Sequence, residues 1–259
     1  MNRYLKKQFT IAFTFVLIAV VVVLGIYFLI GPSGPTCFDG IQNQGETDVD
    51  CGGPCGPCEQ PEELVIVSAD FISTTPGDFD LVAKIKNPNN DWGVESMDYR
   101  FNIYDSDNEL IGYKTGRTYL LPQETKHIIE QRITTKTDPF KVRIELDNIT
   151  WQRIEDFEEI EIGIKDKRQE ITEQGFNKLS ANIENKSSFD LAKIEIAGLF
   201  FDENKKLIAV GKTEIANVSA GEIRHLEITW PYNISEEVSS FELRAYTDVF
   251  SEENFMKRR

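Results

Sequence analysis

The chain has 259 residues, 41% hydrophobic and 27% charged, which permits one large folded domain or two of ordinary size and argues against a disordered polymer. Its formal net charge is −15, with 43 acidic against 28 basic residues, and such a surface repels phosphate backbones, so no nucleic-acid partner is expected. Val, Ile, Phe, Tyr and Thr are abundant and turn residues are spread evenly, a mixture that favours strands over helices.

The first element is apolar. Phe9 to Ile30 carries no charged side chain, and Thr10 and Thr14 are its clearly polar members. As a helix it covers roughly 33 Å, enough to cross the hydrocarbon core of a bilayer. Arg3, Lys6 and Lys7 precede it and no basic residue follows until Lys84. The positive-inside rule then places residues 1–8 in the cytoplasm and everything after Ile30 outside. A cleaved signal peptide is the rival, but its apolar region is shorter and ends in small residues; Gly31-Pro32-Ser33-Gly34-Pro35 offers no such cleavage pattern. We expect a single-pass anchor over 9–30.

Residues 31–61 form a Gly/Pro/Cys-rich stalk module that holds all four cysteines, Cys37, Cys51, Cys55 and Cys58. A segment so short and poor in apolar residues cannot bury a core and needs staples. Outside the cytoplasm an even count of cysteines predicts disulfides, with three pairings open. Asp39, Asn43, Glu46, Asp48 and Asp50 are hard oxygen donors on a Gly-rich loop, the ligand type of calcium, although their spacing is not that of an EF-hand. Four thiolates could also take zinc, against which the oxidising compartment weighs. Cys55-Gly56-Pro57-Cys58 matches a thioredoxin active-site tetrapeptide, but Gly52-Gly53-Pro54 and Glu59-Gln60-Pro61 flank it where a strand and a helix are required. The stretch from Cys37 to Cys58 resembles a short repeat of prokaryotic surface proteins, C-x-D-G-x-x-N-x-x-E-T-D-V-D-C-G-G-x-C-x-x-C, and that resemblance implies a secreted context.

From Glu63 onward apolar residues alternate with polar ones. Leu81, Ala83 and Ile85 share one phase, as do Met97, Tyr99, Phe101 and Ile103, and again Val142, Ile144 and Leu146. Period two means strands with one face inward, as in antiparallel sandwiches. The plan occurs twice. Tyr104-Asp105-Ser106-Asp107-Asn108 aligns with Phe201-Asp202-Glu203-Asn204-Lys205, Lys126-His127 with Arg224-His225, and Phe140-Lys141-Val142-Arg143 with Phe241-Glu242-Leu243-Arg244. A period of roughly 97–101 residues is a whole domain rather than a solenoid unit. The predicted fold is all-β: two tandem immunoglobulin-like antiparallel β-sandwiches, 62–156 and 157–259, after one N-terminal transmembrane helix. Glu155 to Glu159 reads as one helical turn or a linker.

Lys86-Asn87-Pro88-Asn89, Phe101-Asn102-Ile103-Tyr104-Asp105, Leu110-Ile111-Gly112 and Leu121-Pro122-Gln123-Glu124 resemble the motifs of the FxLYD and LEA14-like (water-stress, hypersensitive-response) β-sandwich domains. The second copy keeps Glu184-Asn185 and Phe200-Phe201-Asp202 but has Gly198 in place of Phe101. The resemblance implies an extracytoplasmic sandwich without a shared catalytic activity.

His127 and His225 align and read as residues of exposed strands; Trp92, Trp151 and Trp230 read as packing residues near strand ends. Asn148, Asn185, Asn217 and Asn233 open glycosylation sequons, which matter in a host that glycosylates exported proteins. Met256-Lys257-Arg258-Arg259 reads as a solvated basic tail. The sequence contains no G-x-S-x-G, H-E-x-x-H, P-loop or G-x-G-x-x-G motif. The expectation is a membrane-anchored structural, adhesive or protein-binding surface protein without catalysis, with a protein or other cell-envelope component as partner. An accessory subunit of a secretion, pilus or transport assembly is the alternative.

Overall fold

A computed structural model describes residues 3–30, 37–154, 160–234 and 236–256. The chain divides into two compact units, Met1–Gln60 and Pro61–Arg259. The boundary expected at 156/157, the turn expected over 155–159, Ser235 of the last sequon and the basic tail after Met256 lie outside the described residues.

In the first unit, helix α1 runs Arg3–Ile30. Within it, Lys7–Ile26 is long and apolar enough to cross a membrane by length and composition. The Thr14 hydroxyl, polar in an apolar run, donates back to the Thr10 carbonyl at 2.7 Å, the usual way a hydroxyl is satisfied inside such a helix.

The second unit is all-β, as the alternation predicts. Its first half contains β1 (Val65–Thr75), β2 (Asp78–Lys86), β3 (Trp92–Tyr104), β4 (Leu110–Leu120), β5 (Thr125–Thr134) and β6 (Lys141–Arg153). These strands make two antiparallel sheets in the orders β1-β2-β5 and β4-β3-β6. The inward phase read from the sequence fills the space between them: Leu81, Ala83 and Ile85 face Met97, Phe101, Ile103, Val142 and Ile144.

The second half repeats the topology strand for strand. It contains β7 (Ile162–Ile171), β8 (Asn177–Asn185), β9 (Asp190–Phe201), β10 (Leu207–Val218), β11 (Ile223–Thr229) and β12 (Ser240–Tyr246), with β13 (Phe255–Met256) added. The sheets run β7-β8-β11 and β10-β9-β12, and β13 pairs with the start of β9. Their core holds Leu179, Ile183, Ile194, Phe200, Leu226 and Trp230.

Two polar devices recur in both copies and explain the repeated motifs. In the β3–β4 turn the Asp105 carboxylate accepts the Asp107 and Glu109 N–H groups, and Asn108 takes a positive φ of 60°. In the β9–β10 turn Asp202 accepts from Asn204 and Lys206, with Lys205 at 62°. The Asp folds the chain over its own carboxylate, and the residue three places on absorbs the left-handed conformation. The second device is a buried asparagine at the end of β2 or β8. Asn87 Nδ2 donates to the Trp92 and Leu121 carbonyls, and Asn185 Nδ2 donates to those of Phe189, Val218 and Ser219. Each ties the strand end to the β4–β5 or β10–β11 connection, where Glu124 or Glu222 caps a backbone N–H. A buried amide with every donor engaged fixes a loop that apolar packing alone would leave loose.

Candidate functional site

The cysteine module is closed by Cys37–Cys55 and Cys51–Cys58 disulfides, and no described cysteine is free. This selects one of the three pairings left open by the sequence. Cys55 and Cys58 bond elsewhere and not to each other, so the tetrapeptide is no dithiol couple, and four sulfurs held in disulfides are not the thiolates zinc needs. The paired glycines have a steric reason. A side chain on Gly53 would stand 2.2 Å from the Gly45 carbonyl oxygen, and both Gly52 and Gly53 have positive φ.

The acidic residues of the module come together, but they face its own backbone. Asp50 accepts from the Asp39 and Gly40 N–H groups, and Asp39 from the Ile41 N–H and the Asn43 amide. Glu46 is buried, accepts from the Asn43 and Asp50 N–H groups, and rests on Cys55 Sγ. Asp48 accepts from Val49. A calcium ion would compete with these N–H donors for the same oxygens, so the residues fit the ion poorly.

Sequence reasoning missed the seam between the two sandwiches. The outer face of the β1-β2-β5 sheet lies on the outer face of the β10-β9-β12 sheet. Ile72, Val82 and Ile129, with Tyr119 of β4, meet Ala197, Leu199, Val210 and Tyr246. Polar contacts rim this apolar patch. Lys212 Nζ donates to the Ile129 carbonyl at 2.6 Å, Gln131 bonds the Val210 carbonyl and the Lys212 N–H, and Tyr232 donates to Asp80.

Beside the patch is a cavity of about 400 Å³ lined by Tyr99, Lys126, His127, Glu195, Lys212 and Tyr246, among others. Lys126 is only 3% exposed. Its ammonium lies 3.3 Å from the centre of the Tyr119 ring and 3.4 Å from Glu195 Oε2, with no hydrogen-bond acceptor in good geometry. Burial lowers the Lys126 pKa from its ordinary value, against the pull of Glu195 and Glu124. Burial also works to raise Glu195, but Lys126 and Lys193 outweigh it and hold that carboxyl below the usual range, while burial pushes Glu124 up. These groups neutralise one another across the seam. The sequence signal was there: Lys126 falls in phase with Ile128, at an inward position where a charge needs a partner.

The two histidines, aligned in sequence, part company here. His225 is exposed on β11 beside Asn182 and Glu227. His127 is half-buried in the seam, contrary to the reading as an exposed strand residue. Its N–H and its Nδ1 both lie 3.2 Å from the Tyr246 hydroxyl. Burial first, then Lys84 and Arg244, push its pKa down to about 4.

Of the four sequon asparagines, Asn148, Asn217 and Asn233 are exposed. Asn185 is a correction: it is fully buried and its amide nitrogen, the atom a glycan would occupy, is spent on three carbonyls.

No model of a known protein family matches the chain, and no curated protein matches it. Among solved structures it is similar to red sea bream transglutaminase, at 10% identity over 70% of this chain with a TM-score of 0.23. The match spans 31% of that enzyme, and a likeness at this level carries no functional argument.

Proposed function

We propose that the chain is a membrane-anchored, extracytoplasmic surface protein without catalysis, in which a pair of fused sandwiches presents loops and sheet faces to a protein or other cell-envelope partner. The observation that carries this reading is the oxidised cysteine module directly after a single spanning-length helix. Disulfides persist in oxidising compartments, and the basic residues Arg3, Lys6 and Lys7 before the helix favour a cytoplasmic N-terminus. The ionisable groups gathered at the seam support a structural role, because Lys126, Glu195 and Lys193 are engaged with one another and form no nucleophile, base and orienter. The motif resemblance to FxLYD and LEA14-like domains supports the same reading.

The test is topology. A reporter fused after Arg259 is expected to signal only when it folds outside the cytoplasm, and thiol labelling of unreduced protein from native membranes is expected to find no reactive cysteine. A reporter active only inside the cell would overturn the reading.

A further inference from the structure

The two copies put the same sheet face to different uses. On β9, Glu195, Ala197, Leu199 and Phe201 point away from the second core, and the first sandwich covers the apolar three. The equivalent positions on β3 are Asp98, Arg100, Asn102 and Tyr104; Asn102 is buried among its neighbours, while Lys141, Arg143, Glu145 and Asp147, opposite them on β6, are exposed. A face that is a docking surface in one copy has been rebuilt with charge and aromatic rings in the other.

The rebuilt face is ordered. Arg100 lies over the Tyr113 ring at 4.2 Å, and its Nε donates to the buried Asn102 at 2.9 Å. Arg143, opposite Asn102 on β6, stands 5.6 Å from the Tyr104 ring, and Lys141 is opposite Tyr104. Among the described residues 12 of the chain's 28 lysines and arginines pair with a carboxylate within 4.0 Å; Arg100, Lys141 and Arg143 are among those that do not. At the same end Tyr113 is 61% exposed and Phe140 69%. Three cations without a carboxylate inside 4.0 Å, two of them near tyrosine rings, therefore flank aromatic side chains left in water, with Glu145 directly across from Arg100 on β6.

We propose that this end of the β4-β3-β6 sheet binds an acidic polysaccharide, rich in uronic-acid carboxylates. Carboxylates fit guanidinium groups that have no carboxylate partner of their own, and the C–H faces of sugar rings stack on exposed aromatic side chains. The pairing of Arg100 with Asn102 and of both arginines with tyrosines fixes the side chains before binding, which lowers the entropy lost on association. An anionic bilayer presents a plane that would meet the acidic turn of Asp105, Asp107 and Glu109 at the same end, whereas a single polymer strand can lie along the cations beside that turn. The net charge of −15 repels polyanions at long range, but salt screens it beyond about 8 Å at physiological ionic strength, leaving the local cations to decide. The biological relevance of this face rests on the extracytoplasmic placement proposed above; binding in solution does not, so the two fail separately.

The full chain in detergent is titrated with polygalacturonate oligomers, with dextran of matched length, a polyglutamate peptide and anionic lipid vesicles as separate arms. Saturable binding to polygalacturonate alone is expected, weakening with added salt. Arg143→Glu and Tyr113→Ala are each expected to weaken it by about tenfold or more, while Lys205→Glu at the corresponding turn of the second copy leaves it unchanged. Melting temperatures confirm that each variant is folded. Equal binding of dextran, preference for the peptide or the vesicles, or full binding by both face variants would overturn the proposal.

Discussion

The indole of Trp230 occupies the volume that a side chain on Gly198 would need. Gly198 on β9 and Gly211 on β10 are direct cross-strand partners, and Trp230 lies over both, donating its Nε1–H to the Val210 carbonyl at 2.8 Å. Gly198 stands where the first copy has Phe101, so the second core trades an aromatic ring on the strand for one entering from beyond β11. Gly198 and Trp230 are thus complementary in shape.

A Cβ at Gly211 would meet Trp230 Cζ2 at 2.8 Å and Ile228 Cγ2 at 2.9 Å. Gly211→Ala is expected to destabilise the protein by about 1–3 kcal/mol through overpacking, and Trp230→Ala by about 3–5 kcal/mol through the cavity it leaves. The double variant Gly211→Ala/Trp230→Phe should lose less than Gly211→Ala and Trp230→Phe measured singly and added together, since the smaller ring makes room for the methyl group. Urea unfolding of the full chain measures each variant, and strict additivity in this cycle would mean the two positions are not packed as described.

The seam makes an asymmetric prediction. Lys193 also pairs with Glu195, at 2.9 Å, so replacing Lys126 by methionine leaves Glu195 a cation, leaves Glu124 the Leu121 N–H it accepts, and puts an uncharged methyl group where the ammonium lies on the Tyr119 ring. Lys126→Met should change stability by less than about 1 kcal/mol in either direction. Glu195→Ala instead leaves a buried ammonium without its nearest counter-charge and should cost about 3 kcal/mol or more. Denaturant midpoints decide; equal losses from both would remove the electrostatic account of this contact.

The sandwich pattern was legible in the sequence because period-two alternation reports burial directly, and the repeat was legible because the Asp105 and Asp202 turns and the Asn87 and Asn185 locks are local devices with fixed residue types. The seam was not, because Ile72, Val82, Ala197 and Leu199 lie on outward phases, and an outward apolar residue does not say what covers it. The acidic module is hard to read from sequence for another reason. Asp39, Glu46 and Asp50 have the composition of an ion site, and only geometry shows their oxygens turned onto peptide N–H groups.

Asn185 separates sequence from structure most sharply. Asn185→Ala would strand the Phe189, Val218 and Ser219 carbonyls, and a loss of at least about 2 kcal/mol is expected, with Asn87→Ala behaving alike in the first copy. In a host that glycosylates exported proteins, peptide mapping should place glycans among Asn148, Asn217 and Asn233 and leave Asn185 bare. A glycan on Asn185 of the folded protein would contradict its burial.

His127 gives the seam a pH dependence whose sign can be fixed. Its folded pKa is about 4 against an ordinary 6.5, so the unfolded chain takes up a proton that the folded chain refuses. The stability it contributes is present above about pH 6.5 and is lost as pH falls toward 4. At 1.36 kcal/mol per pKa unit the loss could reach about 3 kcal/mol, and the partial exposure of the ring trims this to roughly 2 kcal/mol. Lys84 and Arg244 add to the effect and Glu242 opposes it. Asp80, Glu124 and Asp248, raised by burial, work in the contrary sense: their contribution is present at low pH and fades as pH rises. The acid limb of the native protein therefore mixes both signs, and the informative quantity is the difference between native protein and His127→Gln. The unfolding free energy of the native protein minus that of His127→Gln should fall as pH is lowered from about 7.5 through about 6 to about 5, a window around the ordinary histidine pKa, because only the native protein has an imidazole that folding keeps neutral. Parallel curves for the two proteins across that window would place His127 in solvent and undo the description of the seam at Tyr246.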